Sequence, residues 1–186
     1  TTVPRFRFDD VIYSRHSGDD GSALLTALTK CDSYSWCNEI ETYNATMTRE
    51  TWNGGTYSHP WGTGAITGVA GGLMGIRQTA PGFATFTVKP RIGSLEHASM
   101  KVPTLMGYIT VNATSTSTHV TVPCNTLAVS VCVHVGPELQ TPSQPNQQIH
   151  ILLDGVRAES VRDGRHLCVQ NVGCGSGGKP RAVVLE

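Results

Sequence analysis

Tryptophan runs out early in this chain. All three, Trp36, Trp52 and Trp61, lie in the first third, and beyond Phe86 the only Phe, Tyr or Trp is Tyr108. A single uniform core would not sort its rings so sharply, so two pieces of different architecture are expected. Charge is also scarce, at 15% of residues against ~25% in an average globular chain. The 14 Lys and Arg are matched by 14 Asp and Glu, so the basic excess of a dedicated nucleic-acid binder is missing. Yet 39% of residues are hydrophobic, too many for a disordered charged tail. Long apolar runs are absent. The best candidate, Ala65 to Ile76, contains four glycines and falls short of the ~18 residues of a membrane span.

Several site types are missing as well. No Cys-x-x-Cys occurs, which excludes a zinc ribbon or a thioredoxin-like pair. His119, His134, His150 and His166 lie in or beside strand-like segments. None forms a His-x-x-x-His pair or neighbours a carboxylate cluster, so neither a metal nor a cofactor is expected. The run Gly173-Cys-Gly-Ser-Gly-Gly178-Lys179 imitates a phosphate-binding loop, but Pro180 stands where the magnesium-binding hydroxyl belongs. No helix of the kind that loop requires is expected to follow. A glycine turn tethered by Cys174 is expected instead.

What is present points to an oxidising compartment. The six cysteines, Cys31, Cys37, Cys124, Cys132, Cys168 and Cys174, suit three disulfides with fifteen possible connectivities. Glycosylation sequons occur at Asn44-Ala45-Thr46 and Asn112-Ala113-Thr114. Together these features favour a secreted or lumenal protein. The chain opens Thr1-Thr2-Val3, as expected of a processed or excised piece of something longer.

The hydrophobic period changes partway along. Ala23 to Lys30 is rich in helix formers behind an Asp19-Asp20-Gly21-Ser22 cap. Trp36 to Glu41 starts a second short helix, and Asn53 to Ser58 reads as loop. Residues 62–76 read as helix, because Ile66, Val69, Leu73 and Ile76 share one face. After Ala80-Pro81-Gly82 the period becomes two. Strands are expected around Phe86 and Val88, over Tyr108 to Asn112, at Val120 and Val122, and over Leu127 to Val135. Further strands are expected over Gln148 to Asp154, His166 to Val169 and Arg181 to Leu185. Leu127, Val129, Val131, Val133 and Val135 form one apolar face, and Ile149, Ile151 and Leu153 another. His134 and His150 then point the opposite way, toward solvent. Many short strands separated by turns predict an antiparallel β-sandwich over residues 81–186, after a helical part over residues 1–80.

Chemistry concentrates in one stretch. Asn44 to Trp52 and Tyr57 to Gly64 bring Glu50 close in sequence to Trp52, His59 and Trp61. Sugar hydrolysis uses these types: a carboxylate to activate water, indole faces for the apolar side of a ring, and an imidazole to fix hydroxyls. Each residue also has a plain structural reading. Glu50 suits a solvated helix end, His59 a loop bonded to backbone, and the two tryptophans a core.

Residues 22–110 resemble the C-terminal part of bacterial and fungal α-L-rhamnosidases of glycoside hydrolase family 78. In that family a segment of the form Gly-Ala-Thr-Thr-x-Trp-Glu-x-Trp carries the general base. Ala45-Thr46-Met47-Thr48-Arg49-Glu50-Thr51-Trp52 is similar, with Glu50 at the base position. Downstream, Ser58-His59-Pro60-Trp61-Gly62, Leu73-Met74-Gly75-Ile76 and Pro81-Gly82-Phe83 follow in the family's order. So do Val88-Lys89-Pro90, Val102-Pro103-Thr104 and Ile109-Thr110-Val111. Asn44 replaces the motif's Gly and creates the sequon, while Met47 and Arg49 replace Thr and the first Trp.

The resemblance implies that residues 1–80 are the last helices of an (α/α) barrel. It implies inverting hydrolysis of a terminal α-L-rhamnosyl bond, with Glu50 as base and Trp52, His59 and Trp61 contacting sugar. The family's general acid lies far upstream, so the chain carries half an active site. Its expected partners are a rhamnose-containing glycan or glycoside and the missing barrel segment or a partner chain, with no nucleic acid and no membrane. A non-catalytic carbohydrate-binding module and a structural assembly component stand beside the enzyme reading.

Overall fold

Alternating small polar and β-branched residues build most of the described chain. The computed structural model describes residues 49–51, 54–57, 64–135 and 150–185. Two short strands, β1 (Arg49–Thr51) and β2 (Gly54–Tyr57), form an antiparallel hairpin. A one-turn helix, α1 (Gly64–Gly68), runs into a π-helical turn over Val69–Leu73. Then come β3 (Ile76–Gln78), β4 (Thr85–Val88), β5 (His97–Thr104), β6 (Gly107–Thr114), β7 (Ser117–Thr121) and β8 (Leu127–His134). The last five are β9 (Ile151–Leu153), β10 (Val156–Ala158), β11 (Val161–Asp163), β12 (His166–Val172) and β13 (Arg181–Leu185).

Eleven of these strands make two sheets. One has six strands in the order β10-β9-β13-β7-β6-β5, the other five in the order β11-β12-β8-β4-β3. Their facing sides share one core, in which Phe86, Val88, Val131 and Val133 meet Ile109, Val111, Val120, Ile151 and Val183. The Thr118 hydroxyl on β7 donates to the Cys132 carbonyl on β8 at 2.8 Å, a buried link between the sheets. The β-sandwich expected from the period-two pattern is therefore present. The strands 85–88, 107–114, 117–121, 127–134, 166–172 and 181–185 fall where that pattern put them. The Asp154–Gly155 turn joins β9 to β10 as expected, with both residues at positive φ.

The sandwich is not wholly antiparallel, because β4 and β8 pair parallel. Between them the chain crosses to the other sheet, lays down β5, β6 and β7, and returns. Such a crossover is what a parallel pair requires.

β8 departs from strict alternation. Phe86 faces Ala128 and Thr87 faces Ser130, so Val129 is an extra residue on β8. The bulge puts both Ala128 and Val131 into the core, each fully buried. Leu127 and Val129, expected on the apolar face, are only half-buried. The expected face is correct from Val131 onward and shifted by one residue before it.

Other expectations are corrected nearer the start. The helix expected over 62–76 is helical over 64–73, then turns through Met74 and Gly75 into β3. Ile66 is accordingly 57% exposed while Leu73 and Ile76 are buried, since a π turn and a strand break the shared helical face. The loop expected over 53–58 contains β2, which pairs with β1. The helices expected at 23–30 and 36–41, and the barrel itself, lie outside the described residues.

Gly75 is where backbone geometry leaves no choice. It sits at φ 63, and a Cβ there would overlap the Lys89 carbonyl. The close approach is fixed by Lys89 N–H donating to Gly75 O at 3.1 Å and Arg91 N–H donating to Leu73 O at 2.8 Å. We expect Gly75→Ala to cost at least about 2 kcal/mol, from left-handed strain and the clash together. Urea unfolding of both chains measures this, and a loss below about 0.5 kcal/mol would show the contact to be slack.

Two disulfides are formed. Cys132 and Cys168 lie directly opposite each other on β8 and β12, with Cα atoms 4.0 Å apart. Cys124 and Cys174 are joined with Cα atoms 5.1 Å apart. The second bond anchors the glycine-rich run, which makes a 3-10 turn over Ser176–Gly178, in keeping with the tethered turn expected there. Cys31 and Cys37 lie outside the described residues. Disulfides of this kind fit an oxidising compartment. Among the described residues no helix is long and apolar enough to cross a membrane.

Candidate functional site

Of the residues expected to handle sugar, only Glu50 is described. It occupies the middle of β1, whose register with β2 matches Arg49 to Tyr57 and Thr51 to Gly54. A strand position replaces the helix end in its plain structural reading. Trp52, His59, Trp61 and the sequon at Asn44 lie outside the described residues. The second sequon is described. Asn112 is exposed on β6, level with Ser99 on β5 and His119 on β7. Its Thr114 hydroxyl accepts from Ser117 N–H at 3.1 Å.

The histidines are arranged otherwise than expected. His166, on β12, is fully buried, and its Nε2 donates to the Pro90 carbonyl at 2.8 Å. His134 packs edge-on against it, with ring centroids 5.2 Å apart, and is half-buried rather than solvent-facing. His150 is partly covered, with Arg157 against its ring. Among the described residues no group of His, Cys, Asp and Glu could hold a metal ion.

The outward side of the five-stranded sheet carries a polar row that the strand pattern concealed. Ser130 and Gln170, Cys132 and Cys168, and His134 and His166 are cross-strand pairs. Beyond them Lys89 meets Asp163 at 2.8 Å. Lys89 lies near a cleft of about 200 Å³ lined by Gly71, Gly75, Arg77, Thr87, Lys89, Arg91 and Asp163. Arg77 and Thr87 are cross-strand partners, and Lys89 and Arg91 follow Thr87 at two-residue steps. Period-two geometry thus points cations from β3 and from the end of β4 into one space. Arg77 Nε donates to the Gly71 carbonyl at 3.0 Å.

The Lys89 ammonium, bonded to Asp163, holds that carboxyl below the usual aspartate value, and His166 and Arg91 act the same way against the opposing effect of burial. The lowered value means that Asp163 favours the fold while ionised, an effect that fades as pH falls through that value. Asp163 is 64% exposed, so solvent screening keeps the effect small. Sequence reading missed this cleft. Lys89 and Arg91 flank buried Pro90 with the right spacing, but nothing local to 163 signals that β11 lies nearby.

The family match falls on the sandwich. Residues 75–147 match the family model described as the bacterial α-L-rhamnosidase C-terminal domain. Over those residues the chain is similar to the C-terminal part of α-L-rhamnosidases. Two solved structures share its fold. The α-L-rhamnosidase of Dictyoglumus thermophilum superposes with a TM-score of 0.57 at 18% identity, over 96% of this chain and 22% of that one. The α-L-rhamnosidase of Streptomyces avermitilis, complexed with L-rhamnose, superposes with a TM-score of 0.54 at 20% identity, over 87% of this chain and 16% of that one. The chain spans about a fifth of these enzymes' length. No curated protein sequence matches it.

Proposed function

We propose that this chain supplies the general base and sugar contacts of an inverting α-L-rhamnosidase-like glycoside hydrolase. The match of residues 75–147 to a rhamnosidase C-terminal domain carries the reading, and the motif around Glu50 precedes that domain in the sequence. Glu50 takes a proton from the attacking water. Trp52 and Trp61 cover the apolar face of the rhamnosyl ring, and His59 fixes a hydroxyl. A carboxylic acid from the upstream barrel segment, or from a partner chain, protonates the leaving oxygen. Inversion requires ~6.5–9.5 Å between the two carboxyls, to admit the water. The two disulfides and the exposed sequon at Asn112 support a secreted glycoprotein, carrying glycan at Asn112 and Asn44.

One observation favours a second reading, a non-catalytic carbohydrate-binding or structural module: the family match covers sandwich residues and stops short of Glu50. Hydrolysis of 4-nitrophenyl α-L-rhamnoside separates the two. The chain joined to its barrel segment releases nitrophenol, whereas the isolated chain releases none. Rhamnose binding without turnover by the joined protein would establish the module instead. Turnover by the isolated chain, lost in Glu50→Gln, would place the acid within these residues.

A further inference from the structure

Tyr108, the last Phe, Tyr or Trp of the sequence, stays out of the core. It is 55% exposed near the start of β6, just after the exposed Leu105 and Met106 of the β5–β6 turn. Period-two geometry puts Tyr108, Thr110 and Asn112 on one face of β6, opposite the buried Ile109, Val111 and Ala113. Asn112 opens a sequon and is exposed. Four residues of antiparallel strand set it ~13 Å from Tyr108. The side chains around this stretch are mostly short and polar. Thr110 faces Lys101 on β5 and Thr121 on β7, and Asn112 faces Ser99 and His119. Lys101 is the long side chain of its row, and its ammonium lies over the Tyr108 ring, 3.8 Å from the centroid. An ammonium on one face leaves the other for further contact and adds donors beside it. A strip lined by hydroxyls and ending in a ring suits a sugar chain. Sugar C–H groups pack on the electron-rich face of the ring, while sugar hydroxyls bond to threonine and lysine.

We infer that the glycan on Asn112 lies along β6 and packs its second sugar against Tyr108 and Lys101. The sugar attached to the asparagine lies over Thr110, and the next one reaches the ring. Position names the occupant: the sequon is on the same strand face, so its glycan is tethered beside the ring at high effective concentration. The inference rests on the glycoprotein part of the proposed function, while the contact with Tyr108 rests on the strand geometry. A glycan is bulky and stays in water. This face of the six-stranded sheet is therefore a solvent face of the larger protein, and the barrel segment or partner chain meets another surface.

The test uses the full chain with Asn44→Gln, secreted from a host that attaches high-mannose glycan, so that of the two sequons only Asn112 remains. Intact mass is expected to show one glycan. In NMR, ring protons of the second N-acetylglucosamine are expected to move upfield, because they lie over the Tyr108 ring. The shift is expected to persist in Tyr108→Phe and to vanish in Tyr108→Ala. Urea unfolding reads the same contact. Trimming the glycan to its first sugar with endoglycosidase H is expected to lower the folding equilibrium constant by about threefold to fivefold, the size of one ring contact. In Tyr108→Ala the same trimming is expected to change nothing. Second-sugar protons at their free-glycan positions, or a trimming effect that survives in Tyr108→Ala, would overturn the contact and leave the glycoprotein reading intact. An unmodified Asn112 would overturn both. None of these outcomes depends on rhamnoside turnover, so the proposed activity stands or falls separately.

Discussion

Glu50→Gln is expected to lower kcat for 4-nitrophenyl α-L-rhamnoside by about 10²–10⁴-fold in the protein that contains both the barrel segment and this chain. Glutamine keeps the size and the hydrogen-bonding reach of glutamate, but at neutral pH it accepts no proton from water. The substitution leaves the proposed substrate contacts, Trp52, His59 and Trp61, in place, so KM is expected to change little. Falling kcat with a steady KM marks a group used in the transition state and not in ground-state binding. Glu50 occupies the centre of a three-residue strand closed by pairing with β2. Replacement by an isostere there leaves backbone pairing intact, so the loss is chemical and not a failure to fold. Unchanged kcat in Glu50→Gln would move the base to another carboxylate and leave the segment a structural one.

The largest effect on stability is expected from Phe86→Ala. Phe86 is fully buried at the heart of the sandwich, on a strand paired on both sides, with Gln78 and Ala128 as its partners. It meets Phe83 edge-on, with ring centroids 6.4 Å apart. The surrounding core is largely valine and isoleucine on rigid strands, which collapse poorly into a vacated ring site. The expected cost is about 3–5 kcal/mol, a large share of the ~5–15 kcal/mol that holds a typical domain together. Denaturant unfolding with the disulfides intact measures it. Tyr108→Ala, at a ring 55% exposed, serves as a control and is expected to cost under about 1 kcal/mol. Similar losses at both sites would mean that the core lies elsewhere.

The strands were legible because their chemistry is local. Thr85-Phe86-Thr87-Val88 alternates, and the structure buries Phe86 and Val88. Arg181 to Leu185 likewise becomes β13. The bulge at Val129 was hidden, because nothing in Leu-Ala-Val-Ser-Val distinguishes a strict strand from one with a residue to spare. Only the partner β4, far away in sequence, imposes the shift. Pairing of Cys132 with Cys168 and of Cys124 with Cys174 was hidden for the same reason. A cysteine's position does not reveal which strand will lie beside it. Asn53-Gly54-Gly55 is turn-like and predicts loop from 53 onward, though Gly54 and Gly55 belong to β2. The proposed role of Glu50 comes from its motif alone, whereas no local motif signals the Arg77, Lys89, Arg91 and Asp163 cleft. Its members lie on outward faces, where single charges look like ordinary solvated ones, and only the sheet order β11-β12-β8-β4-β3 brings them within reach.

The proposed activity makes one demand that a merely bound or inert sandwich cannot meet. Proton NMR of the first sugar released from an aryl α-L-rhamnoside, by the protein containing this chain and its barrel segment, reads the stereochemistry before mutarotation. A water activated by Glu50 attacks from the face opposite the leaving group, so the β-anomer of L-rhamnose is expected first, with its appearance lost in Glu50→Gln. First appearance of the α-anomer, or no rhamnose at all, would contradict the account.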